Sequence, residues 1–378
     1  MTGRLRIGID GRILGARPKG MARYIWELCK GLDATLPQAE FYLYSREPIG
    51  VPRISDRWHE RVETGLARRL PKSIWAVTRP GFLARRDCID VFWGGAGLIP
   101  LVGLSARSVL SVHDLVHMVM PETMSREARL VMKAFFEPCV SRSDAIVTNS
   151  AGTASRLRAA MGYAASAIVR PAVSGSFTLQ PQGKIASVLE RFGLRRPYLL
   201  GVATWEPRKG LELLVRAFSR LQSEGQLSAY TLALAGDRGW RDHSLAELVG
   251  RCGERVAPLG FVDDDELAAL YSGCDLFVYP SKYEGFGMPV LEARACGARV
   301  VTTDSPELRE AGDDDAIYVT PNEEGVRQGI LTALQLEKRH TMGTLDRCQR
   351  SWAASAATLA RVLAGESHPE SLPESLHA

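Results

Sequence analysis

The sequence predicts an α/β protein made of two doubly wound parallel sheets, followed by a final helix and a tail. Short apolar runs alternate with amphipathic helical segments along the chain, as strands and helices do in βαβ units. The 378 residues exceed what one typical hydrophobic core supports, and a polar segment with glycine and proline at 174–186 marks the expected junction. We therefore expect a first domain over 1–178, a second over 179–350, a helix over 351–366 and a disordered tail over 367–378.

Each half of the chain supplies its own set of elements. In the first half, apolar runs predict strands at Leu5–Ile9, Glu40–Tyr44, Val91–Phe92, Ser108–Val112, Ala145–Thr148 and Ala167–Val169. Helices are expected after Gly20, near 124–140 and near 150–161. In the second half, strands are expected at Tyr198–Gly201, Thr231–Ala235, Val256–Leu259, Leu276–Tyr279, Arg299–Thr302 and Ala316–Val319. The helices of that half are expected near 210–224, 243–252, 264–272, 289–297 and 324–337.

Composition is that of a soluble globular protein, with 46% hydrophobic and 24% charged residues. The chain enters a strand pattern directly, so no signal peptide is expected, and no apolar run approaches the roughly 18 residues of a transmembrane helix. The seven cysteines are scattered without a C-x-x-C pair, which favours reduced, buried thiols. These features predict a cytoplasmic protein.

Charge is distributed unevenly along the chain. Residues 1–200 hold 29 Lys and Arg against 16 Asp and Glu, whereas 201–378 hold 18 against 27. Cations are densest over 57–86, where Trp58 and Trp75 are interleaved with arginines. This mixture is typical of peripheral contact with an anionic membrane, and a solvated face that balances local acids is the alternative. Nucleic acid is not expected as a partner, because no nucleic-acid motif accompanies the charge.

The most informative segment is YPSKYEGFGMPVLEARACGARVV, residues 279–301, which predicts a strand, a glycine turn and a helix. Gly285 and Gly287 permit unusual backbone angles and leave N–H groups open to a ligand. The start of the following helix is an anion site. Glu284 precedes that site and Glu292 lies about one turn inside the helix, so a sugar nucleotide would suit the layout. The alternative is an ordinary strand-turn-helix with solvent-facing glutamates.

Two further segments carry candidate site residues. In GVATWEPRKGLELL, residues 201–214, a strand is followed by Arg208 and Lys209 at the start of a helix, which is a plausible diphosphate site. In SVLSVHDLVH, residues 108–117, an apolar strand ends in His113 and Asp114. Ligands of doubly wound sheets bind at the carboxyl ends of strands. A structural hydrogen bond is the alternative role for His113.

The EGFGMPVLE block closely resembles the E-x7-E motif of retaining glycosyltransferases of family four, which have the GT-B fold with an interdomain cleft. The resemblance implies that Glu284 contacts the donor hexose and Glu292 holds the nucleotide ribose. The surrounding turn is implied to line the donor pocket through Gly285, Phe286, Gly287, Met288 and Leu291. The last predicted helix would pack back on the first domain.

The resemblance extends to the other segments. Arg208 and Lys209 would bind the donor diphosphate, although Gly210 stands where the family segment has Asn. His113 would face the donor sugar near the reacting carbon, and Asp114 would orient the imidazole or position the acceptor. Gly20, with positive charge from Arg12, Arg17 and Lys19, would approach the donor, unless it is a plain helix start. Gly236 and Val262 would lie near the base and ribose.

No metal or other cofactor is expected, because Arg208, Lys209 and the helix start would stabilise the diphosphate. The consecutive acids Asp263–Asp265 are better explained by helix capping than by metal binding.

The family resemblance implies transfer of a hexose, with retention of configuration, from a nucleoside diphosphate sugar to a hydroxyl group. It is nearest to bacterial O-antigen mannosyltransferases, so GDP-mannose is the preferred donor and a lipid-linked oligosaccharide of cell-surface polysaccharide synthesis the expected acceptor. UDP-glucose and UDP-N-acetylglucosamine stay open as donors. Two other function classes are a GT-B isomerase acting on sugar nucleotides and a non-catalytic sugar-nucleotide sensor.

Overall fold

The computed structural model describes residues 4–16, 18, 20–239, 243–336 and 351–366. Arg17, Lys19 and the tail over 367–378, each the subject of an expectation above, lie outside the described residues. The chain forms two compact units. The first takes in the residues up to Val119, Arg126–Ala172 and the residues after 349, and the second takes in Met120–Ser125 and Val173–Gln349.

The first unit contains a seven-stranded sheet whose strands all pair in parallel. Its strands are β1 (Arg6–Asp10), β2 (Glu40–Ser45), β3 (Trp58–Val62), β4 (Val91–Gly94), β5 (Arg107–Val112), β6 (Ala145–Thr148) and β7 (Ala167–Ile168). The spatial order is β3-β2-β1-β4-β5-β6-β7. Helices α1 (Met21–Thr35), α2 (Lys72–Arg86), α3 (Val116–Val119), α4 (Arg126–Arg142) and α5 (Ala151–Met161) accompany it.

The second unit contains a six-stranded parallel sheet. Its strands are β8 (Tyr198–Val202), β9 (Thr231–Ala235), β10 (Val256–Gly260), β11 (Leu276–Tyr279), β12 (Val300–Thr303) and β13 (Ala316–Val319). Its helices are α6 (Gln182–Arg191), α7 (Leu211–Ser223), α8 (His243–Cys252), α9 (Asp264–Gly273), α10 (Met288–Ala295), α11 (Pro306–Gly312) and α12 (Glu323–Gln335). The spatial order is β10-β9-β8-β11-β12-β13. The fold class predicted from the sequence, with two parallel-sheet halves, is confirmed.

The strand order fixes where ligands can bind. The chain direction across the sheet reverses between β1 and β4 in the first unit and between β8 and β11 in the second. At such a switch point the two following loops lead away to opposite faces and leave a crevice beyond the strand ends. The residues directly after β8 and β11 are therefore placed to form a site.

Several elements were missed at the sequence level: an edge strand and two helices. The edge strand β3 reads WHERV, α2 contains Gly81 and Pro80, and α6 begins inside the segment expected to be the junction. The division between the units falls after Ala172. Tertiary packing, which the local pattern does not record, decides these elements.

The segment over 57–86 does not present its tryptophans and all of its arginines together on the surface, as a membrane-binding face would. Trp58 and Trp75 are buried in the core of the first unit, at 4% and 0% exposure. Arg61 pairs with Asp87 at 3.1 Å, and Arg79 pairs with Glu63 at 2.9 Å. Much of the segment therefore balances local acids, as the alternative interpretation proposed.

Two observations bear on compartment and membrane. Each cysteine in the described residues is a free thiol, and Cys88 alone among them is exposed. In the same part of the chain, none of the helices is both long enough and apolar enough to cross a membrane.

The last helix, α13 (Trp352–Leu363), packs against α1 within the first unit. Its Ser355 hydroxyl donates to the Arg170 carbonyl at 2.5 Å, and Arg107 donates to the Val362 carbonyl at 2.6 Å. Gly31 of α1 permits the close approach, because a Cβ there would lie 2.5 Å from the Cβ of Ala356. The packing therefore requires glycine at position 31.

We predict that Gly31→Ala lowers the melting temperature, because overpacking a helix contact costs about 1–3 kcal/mol. The matched control is Gly183→Ala in α6, where an added Cβ meets nothing within 4 Å. There the change should raise stability by up to about 1 kcal/mol through helix propensity. Thermal unfolding followed by circular dichroism compares the two, and equal stabilisation by both would contradict this packing.

Candidate active site

The switch point of the second sheet brings together three residues that the sequence places in separate motifs. The loop after β8 carries Arg208 and Lys209, and the loop after β11 carries Glu284. The Lys209 ammonium nitrogen lies 2.6 Å from Oε1 of Glu284, and an Arg208 guanidinium nitrogen lies 3.6 Å from Oε2. Two cations and a carboxylate, about 75 positions apart in the chain, thus form one cluster where the fold predicts a ligand.

Backbone contacts join the two loops. The Lys282 N–H donates to the Arg208 carbonyl at 2.8 Å, and the Ser281 hydroxyl oxygen lies 3.2 Å from the same carbonyl oxygen. Gly210 has φ of 70°, and a Cβ there would lie 2.0 Å from the carbonyl oxygen of Pro280. Only glycine fits this approach, at the position where the resembling segment has Asn.

Glu284 is buried, with 7% exposure, and is held as an anion. Its Oε1 accepts hydrogen bonds of 2.6 Å from each of the Tyr279 hydroxyl, the Ser281 hydroxyl and Lys209. Burial by itself would raise the pKa of Glu284, but the charges of Lys209 and Arg208 and these hydrogen bonds lower the pKa to about 2. The carboxylate is therefore ionised throughout the physiological range.

Lys209 is largely buried beside this carboxylate. Burial lowers the pKa of Lys209, while the Glu284 charge acts in the opposite direction. Its ammonium also donates to the Tyr279 hydroxyl at 3.2 Å. An ammonium has three N–H groups, so after these two bonds to described residues one remains for a ligand.

Helix α10 starts next to this cluster. Gly287 precedes it with φ of 106°, and a Cβ there would lie 2.6 Å from a methyl carbon of Leu308. Glu292 lies within the helix at 6% exposure. Phe286 and Leu291 pack in the core of the second unit, and the Leu291 N–H donates to the Gly287 carbonyl at 3.4 Å. Their contacts to a donor remain predictions.

Gly285 and Met288 lie in the turn between β11 and α10 and at the start of that helix, as the sequence predicts. Gly285 is buried between Glu284 and Phe286, and Met288 is the half-buried first residue of α10. Their contacts to a donor remain predictions.

Gly236 and Val262 follow the neighbouring strands β9 and β10. The Gly236 N–H donates to the Gly260 carbonyl at 2.8 Å, and a Cβ at Gly236 would lie 2.0 Å from the Ala203 carbonyl oxygen. Gly236 therefore positions the start of the loop that carries Arg208 and Lys209. Val262 is buried at 7% exposure, and its proximity to a base remains a prediction.

His113 directly follows β5 in the first unit. Its Nε2 lies 2.7 Å from the Gly95 carbonyl oxygen, which can only accept, so Nε2 carries the proton and Nδ1 is an acceptor. Burial lowers the pKa of His113, against smaller opposing effects of Gly95 and Asp114. The neutral imidazole is thus fixed in one tautomer, with Nδ1 available to accept from a hydroxyl.

Asp114 has a local structural partner. Its Oδ1 accepts from the Val116 N–H at 3.0 Å, which starts the short helix α3. The imidazole of His113 is held by the Gly95 carbonyl, so Asp114 influences it through charge. The nearby His117 packs edge-on against Phe136 at 4.3 Å between ring centres.

Gly20 begins α1 with φ of 52°, and an added Cβ would meet nothing within 4 Å. Space beside the helix start is therefore open, as a ligand would require. Arg12 does not contribute a free charge, because it pairs with Asp10 at 3.4 Å and donates to the Ala96 carbonyl at 2.8 Å.

The acidic run is a helix cap, as the sequence predicted. Asp263 accepts from the Glu266 N–H at 3.0 Å at the start of α9. Within the described ranges, no group of three or more His, Cys, Asp or Glu is arranged to hold a metal.

Comparison with known proteins places the chain in a family. Residues 196–335 match the model of glycosyl transferases group 1, and residues 18–173 match that of glycosyltransferase family 4. The O-antigen chain mannosyltransferase B of Escherichia coli is 30% identical over 334 residues, covering 84% of this chain and 87% of that protein. The chain belongs to glycosyltransferase family 4.

Other relatives extend the comparison of this glycosyltransferase. The serotype-specific mannosyltransferase WbdA of Escherichia coli is 31% identical over 278 residues, which is 68% of this chain but 33% of WbdA. The structure of WaaG, a glycosyltransferase involved in lipopolysaccharide biosynthesis, matches with a TM-score of 0.71 at 15% identity, over 96% of this chain and all of WaaG. The Anabaena protein HepE, in complex with UDP and glucose, matches with a TM-score of 0.66 at 16% identity over 95% of each chain. The GT-B fold is thereby established.

Sequence analysis of this glycosyltransferase missed Tyr279 and Ser281 as site residues. Both lie in the quoted motif, and both donate to Glu284. The available signal was a tyrosine and a serine at the end of an apolar strand, where buried hydroxyls need partners.

We predict that Lys209→Met in this glycosyltransferase destabilises the protein by about 3–5 kcal/mol at pH 7, since it leaves the Glu284 charge buried without its closest partner. The wild-type carboxylate, whose pKa is lowered, contributes stability above its unfolded pKa, and this is lost only as pH falls through about 2. In the variant the carboxylate can protonate at higher pH, so the difference in melting temperature should shrink from pH 7 to pH 4.

The matched control is Lys282→Met, which removes an exposed ammonium one loop residue from Ser281. Its melting temperature should stay near that of the wild type at each pH. A pH-independent difference for Lys209→Met, or an equal loss in the control, would contradict the buried pair.

Proposed function

We propose that this glycosyltransferase transfers mannose from GDP-mannose, with retention of configuration, to a hydroxyl of a lipid-linked oligosaccharide used in cell-surface polysaccharide synthesis. The observation that carries the proposal is the cluster of Arg208, Lys209 and Glu284 at the switch point of the second sheet. The choice of mannose rests on the relatives that are named mannosyltransferases.

The donor diphosphate would bind at the cationic side of the cluster. Lys209 keeps one N–H beyond its bonds to Glu284 and Tyr279, and the start of α10 adds oriented N–H groups. As the bond to the sugar breaks, negative charge grows on the leaving phosphate. Cations that are already fixed in place stabilise this charge without reorganisation, so they lower the barrier more than they tighten binding.

Glu284 would position the hexose. Its Oε1 is occupied by three donors, which leaves Oε2, 3.6 Å from Arg208, to accept from a sugar hydroxyl. A carboxylate with a pKa of about 2 is a very weak base at neutral pH. We therefore assign Glu284 to orientation of the hexose and not to deprotonation of the acceptor.

The leaving phosphate oxygen would then deprotonate the acceptor hydroxyl, because the acceptor attacks the hexose from the side on which the phosphate leaves. This is the mechanism that the family resemblance implies. His113, neutral and fixed by Gly95, would accept a hydrogen bond from a sugar hydroxyl through Nδ1. The proposal requires no metal or other cofactor, because Arg208 and Lys209 supply the positive charge. Glu292 would hold the ribose hydroxyls.

Contact with an anionic membrane would bring the enzyme to a lipid-linked acceptor at the cytoplasmic face. Within 57–86, we assign this role to the short helix Leu66–Arg69 and its neighbour Lys72. Leu66 is 80% exposed, and Arg68, Arg69 and Lys72 are exposed as well. An apolar side chain among cations is the combination that favours an anionic interface.

We predict that GDP and GDP-mannose raise the melting temperature, because a ligand that binds only the folded state stabilises it by about 2.7 kcal/mol at 100 times its Kd. The panel should include UDP, ADP and their common sugars. Glu292→Ala should reduce the shift, whereas Glu247→Ala, the same change on the exposed face of α8, should not. A shift with UDP compounds alone would replace the donor, and no shift with any nucleotide would remove the basis of the proposal.

We predict that the protein floats with vesicles containing phosphatidylglycerol and not with neutral phosphatidylcholine vesicles, and that added salt releases it. Charge reversal of the exposed pair Arg68 and Arg69 to Glu should abolish flotation. The same reversal of the exposed pair Arg195 and Arg196 in the second unit is the control. Equal effects of the two pairs would refute a specific surface.

A further inference from the structure

Asn149 is a buried polar side chain whose amide oxygen has no hydrogen-bond partner among the residues that the structure describes. It directly follows β6 and precedes α5, and it is 9% exposed. Its side-chain oxygen is buried and accepts no hydrogen bond from any described residue. The polar groups beside it are already engaged, since the Thr148 hydroxyl donates to the Ser150 carbonyl at 3.0 Å and the Ser150 hydroxyl accepts from the Thr153 N–H at 3.0 Å.

Such a group needs a physical explanation. A buried amide without a hydrogen bond loses its hydration and gains nothing in return, whereas an apolar side chain of the same shape avoids that loss. An unsatisfied polar group therefore suggests a partner from outside the chain. The cost would be offset in the complex that contains the partner.

The sheet register places Asn149 beside His113. Val112 of β5 pairs with Thr148 of β6, so the next residue of each strand, His113 and Asn149, stand at equivalent positions on neighbouring strands. Neighbouring strands are about 4.8 Å apart. The Thr153 hydroxyl of α5 also donates to the His113 carbonyl at 3.3 Å, which ties the start of α5 to the end of β5.

We propose that Asn149 is a sugar-binding residue whose carboxamide hydrogen-bonds a hydroxyl group of a substrate sugar next to His113. A hydroxyl both donates and accepts, so it can satisfy either end of the amide. With Nδ1 of His113 as a second acceptor, the pair suits two hydroxyls of one ring. The inference rests on the proposed function, and the kinetic test below distinguishes the donor hexose from the acceptor as the source of the sugar.

The first test compares the two asparagines of the chain. Asn322 caps α12 by accepting from the Gly325 N–H at 2.8 Å, so Asn322→Leu should lower the melting temperature by roughly 2–4 °C. Asn149→Leu should leave it unchanged or raise it, because the Asn149 oxygen accepts no hydrogen bond from any described residue. A fall equal to that of Asn322→Leu would show that the amide has a partner in the folded protein, such as an ordered water, and would overturn the proposal.

The second test measures steady-state transfer from GDP-mannose to octyl α-mannoside by wild type and Asn149→Leu. The KM of one sugar substrate should rise roughly tenfold, the loss expected for one hydrogen bond to a buried amide. The KM for octyl α-mannoside should rise if Asn149 binds the acceptor, and the KM for GDP-mannose should rise if Asn149 binds the donor hexose. The melting-temperature shift caused by GDP should equal that of the wild type in both cases. Both KM values within twofold of wild type would refute the sugar contact.

The two tests separate the inference from the proposed function. If the wild type transfers no mannose and binds no GDP, the proposed function fails. Melting-temperature shifts with the other sugar nucleotides of the panel then replace the kinetic comparison. The contact is supported if Asn149→Leu reduces the shift caused by a sugar nucleotide but leaves unchanged the shift caused by the same nucleotide without its sugar. Equal shifts in both proteins refute it.

Discussion

The ion pair between Lys209 and Glu284 is the interaction on which the rest of the site depends. A buried charge is tolerated only where a partner and hydrogen bonds compensate for lost hydration. Here each charge makes the other possible, with Tyr279 donating to the carboxylate and accepting from the ammonium. The pair fixes a carboxylate and an ammonium in contact at the switch point of the second sheet, where we propose that the donor binds.

The fold supplies the constraint that makes the pair possible. The loops after β8 and β11 diverge from adjacent strands at the switch point, yet they must approach closely enough for Lys209 to reach Glu284. Gly210 provides the approach at the Pro280 carbonyl, and Gly236 provides another at Ala203. In the first unit, the tautomer of His113 is set in the same manner by the backbone of the neighbouring strand end at Gly95. Backbone contacts, and not side-chain chemistry alone, define the site.

Much of this was accessible from the sequence, and the failures have physical reasons. Fully buried strands such as β11 are recognisable as apolar runs, and the glutamates and glycines of the 279–301 segment indicate the site. The edge strand β3 and helix α2 were missed because their charged residues find ion-pair partners, such as Glu63 for Arg79, that lie in other elements. Tyr279 was missed because its hydroxyl bridges Glu284 of its own loop and Lys209 of a loop 70 residues away, and a local pattern shows neither contact. Ion pairs and hydrogen bonds between residues that are distant in the sequence cannot be predicted from local sequence patterns.

The most direct test of the account is a crystal structure of the protein with GDP-mannose or a non-transferable analogue of it. A phosphate oxygen should lie within about 3 Å of the Lys209 ammonium, with the ammonium still bonded to Glu284 and a hexose hydroxyl at Oε2 of that carboxylate. A diphosphate bound away from the β8 and β11 loops, with Lys209 and Glu284 paired only to each other, would contradict it.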